Sequence, residues 1–227
     1  MEKKDFHAAG AGTIHAGEYD KISASGAWTL AGEARCTSLS TAGSFRAREN
    51  IICEQKAEFA GSAHLEKSIT TEKLHAGGSL HVDGGVKTEE LEVGGLLRVS
   101  SIEAEEISVH GKLECAGMVN AERVELRFDE GGNAGFIGGS VIEITQGKTG
   151  MGKNLRNLFW GKAASPLNFK VSEGIEGDEI FLEYVTAPTV TGRNVTVGPG
   201  CRIGRVQYEN YINVSPDAEV GERVKVS

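Results

Sequence analysis

Two histidines seventeen residues apart, His64 and His81, are the first side chains here whose type and spacing invite chemistry. If the chain repeats with that period, the imidazoles lie above one another on an outer surface, with Arg98 next in the column. A metal ion asks for three or four ligands and for partners that orient them. The column offers two ligands and then a cation, so solvent-exposed side chains are expected and no metal. Glu89, Glu90, Glu92, Glu103, Glu105 and Glu106 contain the carboxylates that a glycosidase would pair. On outward strand positions they read instead as a solvated acidic face. Gly147-Lys148-Thr149 resembles the end of a phosphate-binding loop, but that loop needs glycine at position 142, where Ile142 stands. Gly132, Gly135 and Gly138 are turn glycines and do not form the dinucleotide fingerprint. Cys36, Cys53, Cys115 and Cys201 stand singly, without metal spacing, and are expected to be reduced and to fill small core positions. No catalytic, cofactor-binding or metal residue is therefore assigned, and no cofactor or nucleotide is expected.

The elements that would carry these side chains are written in a repeat. Ser62 to Gly78, Ser79 to Gly95 and Leu96 to Gly111 are nearly one phrase three times over. Ile69, Val86 and Ile102 recur in register, as do Leu74, Leu91 and Ile107, and Ala76, Val93 and Val109. Inside each unit apolar and polar residues alternate, the period of a strand. A unit of 16 to 17 residues has room for about three short strands and is too short for a helical repeat. The chain is therefore expected to be all-β, a single-stranded β-helix (β-solenoid) of about ten coils of 16–18 residues, interrupted by one insertion.

Glycine at 26, 43, 61, 78, 95 and 111 marks one corner of each coil, where a sharp turn favours a residue without a side chain. The column just past the corner reads Trp28, Phe45, Ala63, Leu80, Leu97 and Leu113. Two residues on it reads Leu30, Ala47, Leu65, Val82, Val99 and Cys115, and a middle column reads Ala34, Ile52, Ile69, Val86, Ile102 and Val119. Equivalent strands should pair in parallel about 4.8 Å apart and pile these residues into continuous apolar rows.

Composition narrows the function classes. Glycine supplies 31 of 227 residues, about twice its usual share of ~7%, without the three-residue period of collagen. A net charge of -8 favours solubility and opposes nucleic-acid binding, which needs a clustered basic surface. No apolar run nears the ~20 residues of a membrane span, and the start lacks a signal-peptide core, so a cytoplasmic location is expected.

Taken in order, residues 1–9 are expected to be a disordered arm, 10–147 the N-terminal coils, 148–168 an insertion and 169–227 the C-terminal coils. The C-terminal rows are expected to join Ile180, Val197 and Val214. Residues 148 to 166 hold four basic residues and no acid, with Leu155, Leu158, Phe159 and Trp160 at spacings that one face of a short helix would gather. That segment reads either as a loop or helix laid over the solenoid, or as a contact for a membrane or partner through Lys153, Leu155, Arg156, Leu158, Phe159, Trp160 and Lys162.

The repeats resemble bactofilins, polymer-forming cytoskeletal proteins of bacteria. The texture of Leu80-His-Val-Asp-Gly84 and Ala121-Glu-Arg-Val-Glu-Leu126 carries the likeness. Residues 175–183 and 194–201, placed after a basic aromatic insertion, are similar to the two-part members. The resemblance implies a right-handed β-helix that assembles end to end without nucleotide. It implies a scaffold in the cytoplasm, often at the membrane, for cell shape, wall synthesis or motility. An uncapped solenoid end also invites pairing on physical grounds. The self-contacts are expected near Ile14, Trp28 and Phe45 at one end and Ile203, Ile212 and Val214 at the other. Two other classes compete: a non-polymerising β-helical binding module, and a hexapeptide-type acyltransferase, suggested by residues 195–203. The second expects strict six-residue steps and a catalytic histidine, whereas these coils vary in length and no histidine follows His110.

Overall fold

A computed structural model describes residues 3–147 and 167–226. Fifteen strands follow one another: β1 (Lys4–Ile14), β2 (Gly17–Leu30), β3 (Ala34–Ala47), β4 (Ile51–Leu65), β5 (Ile69–Thr70), β6 (Lys73–Lys87), β7 (Glu90–Glu103), β8 (Glu106–Cys115), β9 (Met118–Asn120), β10 (Arg123–Phe128), β11 (Gly132–Gln146), β12 (Phe169–Leu182), β13 (Val185–Val197), β14 (Arg202–Val214) and β15 (Glu219–Lys225). All belong to one sheet in which every pairing is parallel and each rung pairs with the next, giving a β-solenoid of about twelve turns. β11 pairs directly with β12, so the stack continues across the two described stretches.

The rows form for the reason the alternation gives. Trp28, Phe45, Ala63, Leu80, Leu97 and Leu113 are successive register partners, as are Leu30, Ala47, Leu65, Val82, Val99 and Cys115. Inward residues of the middle rungs are almost wholly buried, with Leu65, Leu80, Val82 and Leu97 at 0% exposure. Each buried Leu or Val removes apolar surface from water, worth about 1.5–3 kcal/mol, and each touches only its own and adjacent rungs. The glycine corner is a true stack. Gly10, Gly26, Gly43, Gly61, Gly95 and Gly111 have positive φ, and a β-carbon on Gly61 would overlap the carbonyl oxygen of Gly43 on the rung before.

The structure corrects the sequence reading at several points. Residues 4–9 are not a disordered arm: β1 starts at Lys4 and pairs with β2 through Ala8↔Ala24 and Gly10↔Gly26. Its alanines and glycines leave no apolar alternation to read, yet their backbone satisfies a whole rung. The stack has about twelve turns where about ten were expected. The short strands expected in each coil mostly merge into bent ladders of up to 15 residues, because the corner glycines turn without breaking the pairing. The middle row runs through Ile51, not Ile52, from Ala34 to Ile69. Ile51 is 1% exposed, while Ile52 lies on the opposite face and is only partly buried. In the C-terminal block Ile180 pairs with Val195 and Val195 with Ile212, while Leu182 pairs with Val197 and Val197 with Val214. The step from Ile180 to Val195 is 15 residues rather than 17, which shifts the expected Ile180–Val197 row by one inward position.

Candidate functional site

Three features of this scaffold present side chains that could act: the lateral faces, the two ends and one histidine cluster. The lateral faces follow from the repeat. A side chain on one rung lies over its equivalent on the next, so opposite charges in one column meet. Lys73 pairs with Glu90 at 2.5 Å, Lys87 with Glu103 at 2.9 Å and His75 with Glu92 at 3.0 Å. The glutamates expected to form a solvated face are exposed or half-exposed, and three of them are also tied to the preceding rung. Exposed pairs of this kind are screened by water and contribute little to stability. Glu114 is the most enclosed member. Lys112, then Arg98, hydrogen-bond to its carboxyl and hold it below the usual carboxylate range. The four cysteines are free and buried, and burial pushes the Cys201 thiol up to about 11. That keeps it a core filler and not a nucleophile.

At the N-terminal end β1 has β2 as its neighbour, and its small residues leave room that aromatic rings fill. Phe6 meets Trp28 edge-on at 5.4 Å and Tyr19 at 6.4 Å. The indole leans over the first rung: a β-carbon on Gly12 would come within 2.6 Å of it. Trp28 Nε1 donates to the Ser25 carbonyl at 3.0 Å, and the Tyr19 hydroxyl donates to that of His15 at 2.8 Å. At the other end β15 pairs only with Arg202–Tyr208 of β14. Past that point Tyr211 is 55% exposed, and Ile212 and Val214 are only partly buried. One rung below, their row partners Val195 and Val197 are at 0%.

The expected self-contacts divide accordingly. Ile212 and Val214 stand at the last rung with exposed surface, and Trp28, on the second rung between β1 and β3, is partly exposed. Ile14 belongs to the first rung but is 1% exposed. Phe45 and Ile203 are corrected: each is 3% exposed and has a rung on both sides, β2 and β4 for Phe45 and β13 and β15 for Ile203. Phe6 and Tyr211 occupy the end positions that the sequence reading missed. For Phe6 the signal was the extra rung hidden in residues 4–14. Lys153, Leu155, Arg156, Leu158, Phe159, Trp160 and Lys162 lie outside the described residues.

His64 and His81 stack as their spacing predicts. They are register partners on β4 and β6, with ring centroids 4.6 Å apart and planes 10° from parallel. A third group, absent from the sequence reading, joins them. Asp83 Oδ2 lies 3.0 Å from His64 Nε2 and Asp83 Oδ1 lies 3.0 Å from His81 Nε2. The signal was alternation itself: residues 81 and 83 are two apart on one strand and so share a face. Arg98 follows His81 in the row as expected, but its guanidinium turns onto Glu114, with Nε 2.7 Å from Oε2.

Comparison with known proteins places the chain near bacterial relatives. No family model matches, and no solved structure does. YhbF of Bacillus subtilis (strain 168) is 28% identical over 111 residues, 48% of this chain and 42% of that protein. YhbE of the same strain is 33% identical over 112 residues, 49% of this chain and 44% of that protein. Both are described as uncharacterized proteins, and the aligned segment spans less than half of either relative's own length.

Proposed function

We propose that this chain is a structural, nucleotide-independent scaffold of the bactofilin kind, stacking copies end to end in the bacterial cytoplasm and recruiting partners for cell shape, wall synthesis or motility. One observation carries the reading: rows buried to 0–3% through the stack surface at its last rung, at Ile212 and Val214. Among the described residues the outer strands β1 and β15 carry no capping helix, and each leaves one edge of backbone donors and acceptors unpaired. A second copy docking there would continue both the hydrogen-bond ladder and the apolar rows, which is the cheapest way to satisfy them. The resemblance of the repeats to bactofilins points the same way.

Negative-stain microscopy and sedimentation of the purified chain without nucleotide test this directly. Filaments are expected, and Ile212→Lys/Val214→Lys should convert them to small species, since two ammonium groups would be buried without partners. A monomer that persists across all concentrations would overturn the proposal. Residues 148–166 are proposed as a peripheral contact with the inner face of the membrane or with a partner protein, on the strength of four basic residues beside Phe159 and Trp160. Liposome flotation checks the membrane arm: Phe159→Ala/Trp160→Ala should leave the lipid fraction that the unmodified chain occupies. Equal flotation of the two removes that arm. Among the described residues no helix is long and apolar enough to cross a bilayer.

A further inference from the structure

His64, His81 and Asp83 form a cluster that nothing in the scaffold requires. Five of the six histidines lie beside carboxylates among the described residues, but the others do so singly: His75 with Glu92, His110 with Glu125 and His7 with Asp5. Only at His64 and His81 do two imidazoles share one carboxylate, and there all three ligand atoms lie within 4.8 Å of one another. Here both Nε2 edges turn to the same aspartate. We propose that the three side chains form a binding site for a divalent transition-metal ion of the zinc type, clamping β4 to β6.

The chemistry of the donors selects the ion. Two imidazole nitrogens and one carboxylate oxygen suit zinc, copper or nickel, whereas calcium and magnesium want oxygen donors in greater number. Zinc binds imidazole at about 2.0–2.1 Å and tolerates three protein ligands with the remaining position open to water. Ligands around such an ion sit a little over 3 Å apart, and the two Nε2–carboxylate separations are already 3.0 Å. The rings stack nearly parallel, and an imidazole binds a metal in its own plane, so closing the site also requires both rings to turn out of the stack until their Nε2 atoms face one point. An imidazole takes a metal through an unprotonated nitrogen, so zinc binding at Nε2 displaces any proton held there.

The scaffold holds the donors in place. His64 lies between Ala63 and Leu65, and His81 between Leu80 and Val82, all four buried to 3% or less. Their rungs therefore fix the two imidazoles at the sheet spacing, and preorganised ligands lose little entropy on binding. The row does hold a cation on each side, Arg46 before His64 and Arg98 after His81. Each is neutralised by its own carboxylate, Arg46 by Glu66 at 2.6 Å and Arg98 by Glu114, which leaves Asp83 to the histidines.

Equilibrium dialysis of the tag-free 227-residue chain against micromolar Zn2+, with elemental analysis of both chambers, reads the site whether or not the chain assembles. One zinc per chain is expected. His64→Ala/His81→Ala should remove it, and Asp83→Asn, which keeps the shape and loses the charge, should weaken binding by tenfold or more. His75→Ala and His110→Ala should leave it unchanged. Long-range proton–nitrogen spectra should show both Nε2 resonances of His64 and His81 shifting as zinc is added. No zinc retained, or affinity altered less than threefold in the double variant, would overturn the proposal.

Discussion

The rungs between Ser62 and Gly111 and the rungs at the two ends are wound from the same unit but satisfied differently. In the middle, Leu80 and Leu97 have apolar partners above and below and are at 0% exposure. At the C-terminal end, Ile212 and Val214 have the same partners below, in Val195 and Val197, and remain partly exposed. At the N-terminal end the same deficit is met within the chain: Trp28 leans over Gly12, and Phe6 and Tyr19 close around it. One end thus carries an aromatic plug and the other presents open rows. A solenoid rung is only as stable as its neighbours make it, so equal side chains in equal rows should differ in worth by position alone.

The sharpest way to break this comparison is to truncate one inward residue in each region. Leu80→Ala leaves a cavity that rungs on both sides cannot fill and should cost about 2–5 kcal/mol. Ile212→Ala removes surface that water already reaches, and should cost about 1 kcal/mol or less in the unassembled chain. Guanidinium midpoints of the two variants, taken at a concentration where the chain is dispersed, give the difference. Equal losses would mean that the last rung is covered by something the described residues do not include.

The sequence carries the rows because alternation and period together fix an inward residue wherever its neighbours are polar. The Leu80 and Val82 rows are of this kind, with His81 and Asp83 between and beyond them. Alternation fails where two apolar residues adjoin: Ile51 and Ile52 are equally apolar, and only pairing with Ala34 and Ile69 decides which turns inward. A one-residue choice of this kind flips the side chain to the other face. A fixed period fails where a rung shortens, as between Ile180 and Val195. The first rung was illegible because Ala8, Ala9, Gly10, Ala11 and Gly12 bury little, and their contribution is backbone pairing, which composition does not display. Of the candidate metal cluster, the column His64–His81 was readable from spacing. Asp83 was readable only by combining the column with the strand period, since it belongs to the same face and not to the same row.

A finer comparison uses one corner at two heights. Gly10 and Gly61 occupy the same column, with φ of +103° and +118°. A β-carbon on Gly61 would overlap the Gly43 carbonyl, whereas one on Gly10 would meet nothing within 4 Å. Gly10→Ala therefore measures the torsional cost alone, about 1–3 kcal/mol for a residue held in a region that only glycine favours. Gly61→Ala adds the displacement of a neighbouring rung and should cost more than Gly10→Ala does. Gly77, next to the corner residue Gly78, has open space around it and supplies the baseline. Gly77→Ala should change stability by no more than about 0.5 kcal/mol, with reduced freedom of the unfolded chain favouring the alanine. Hydrogen exchange around each corner, read with the denaturation midpoints, separates a local loosening from a loss that spreads along the stack. If Gly10→Ala and Gly61→Ala cost the same, the corner is set by its own torsion and the rung beneath contributes nothing. A larger cost at Gly61 would show that the stack itself requires glycine there.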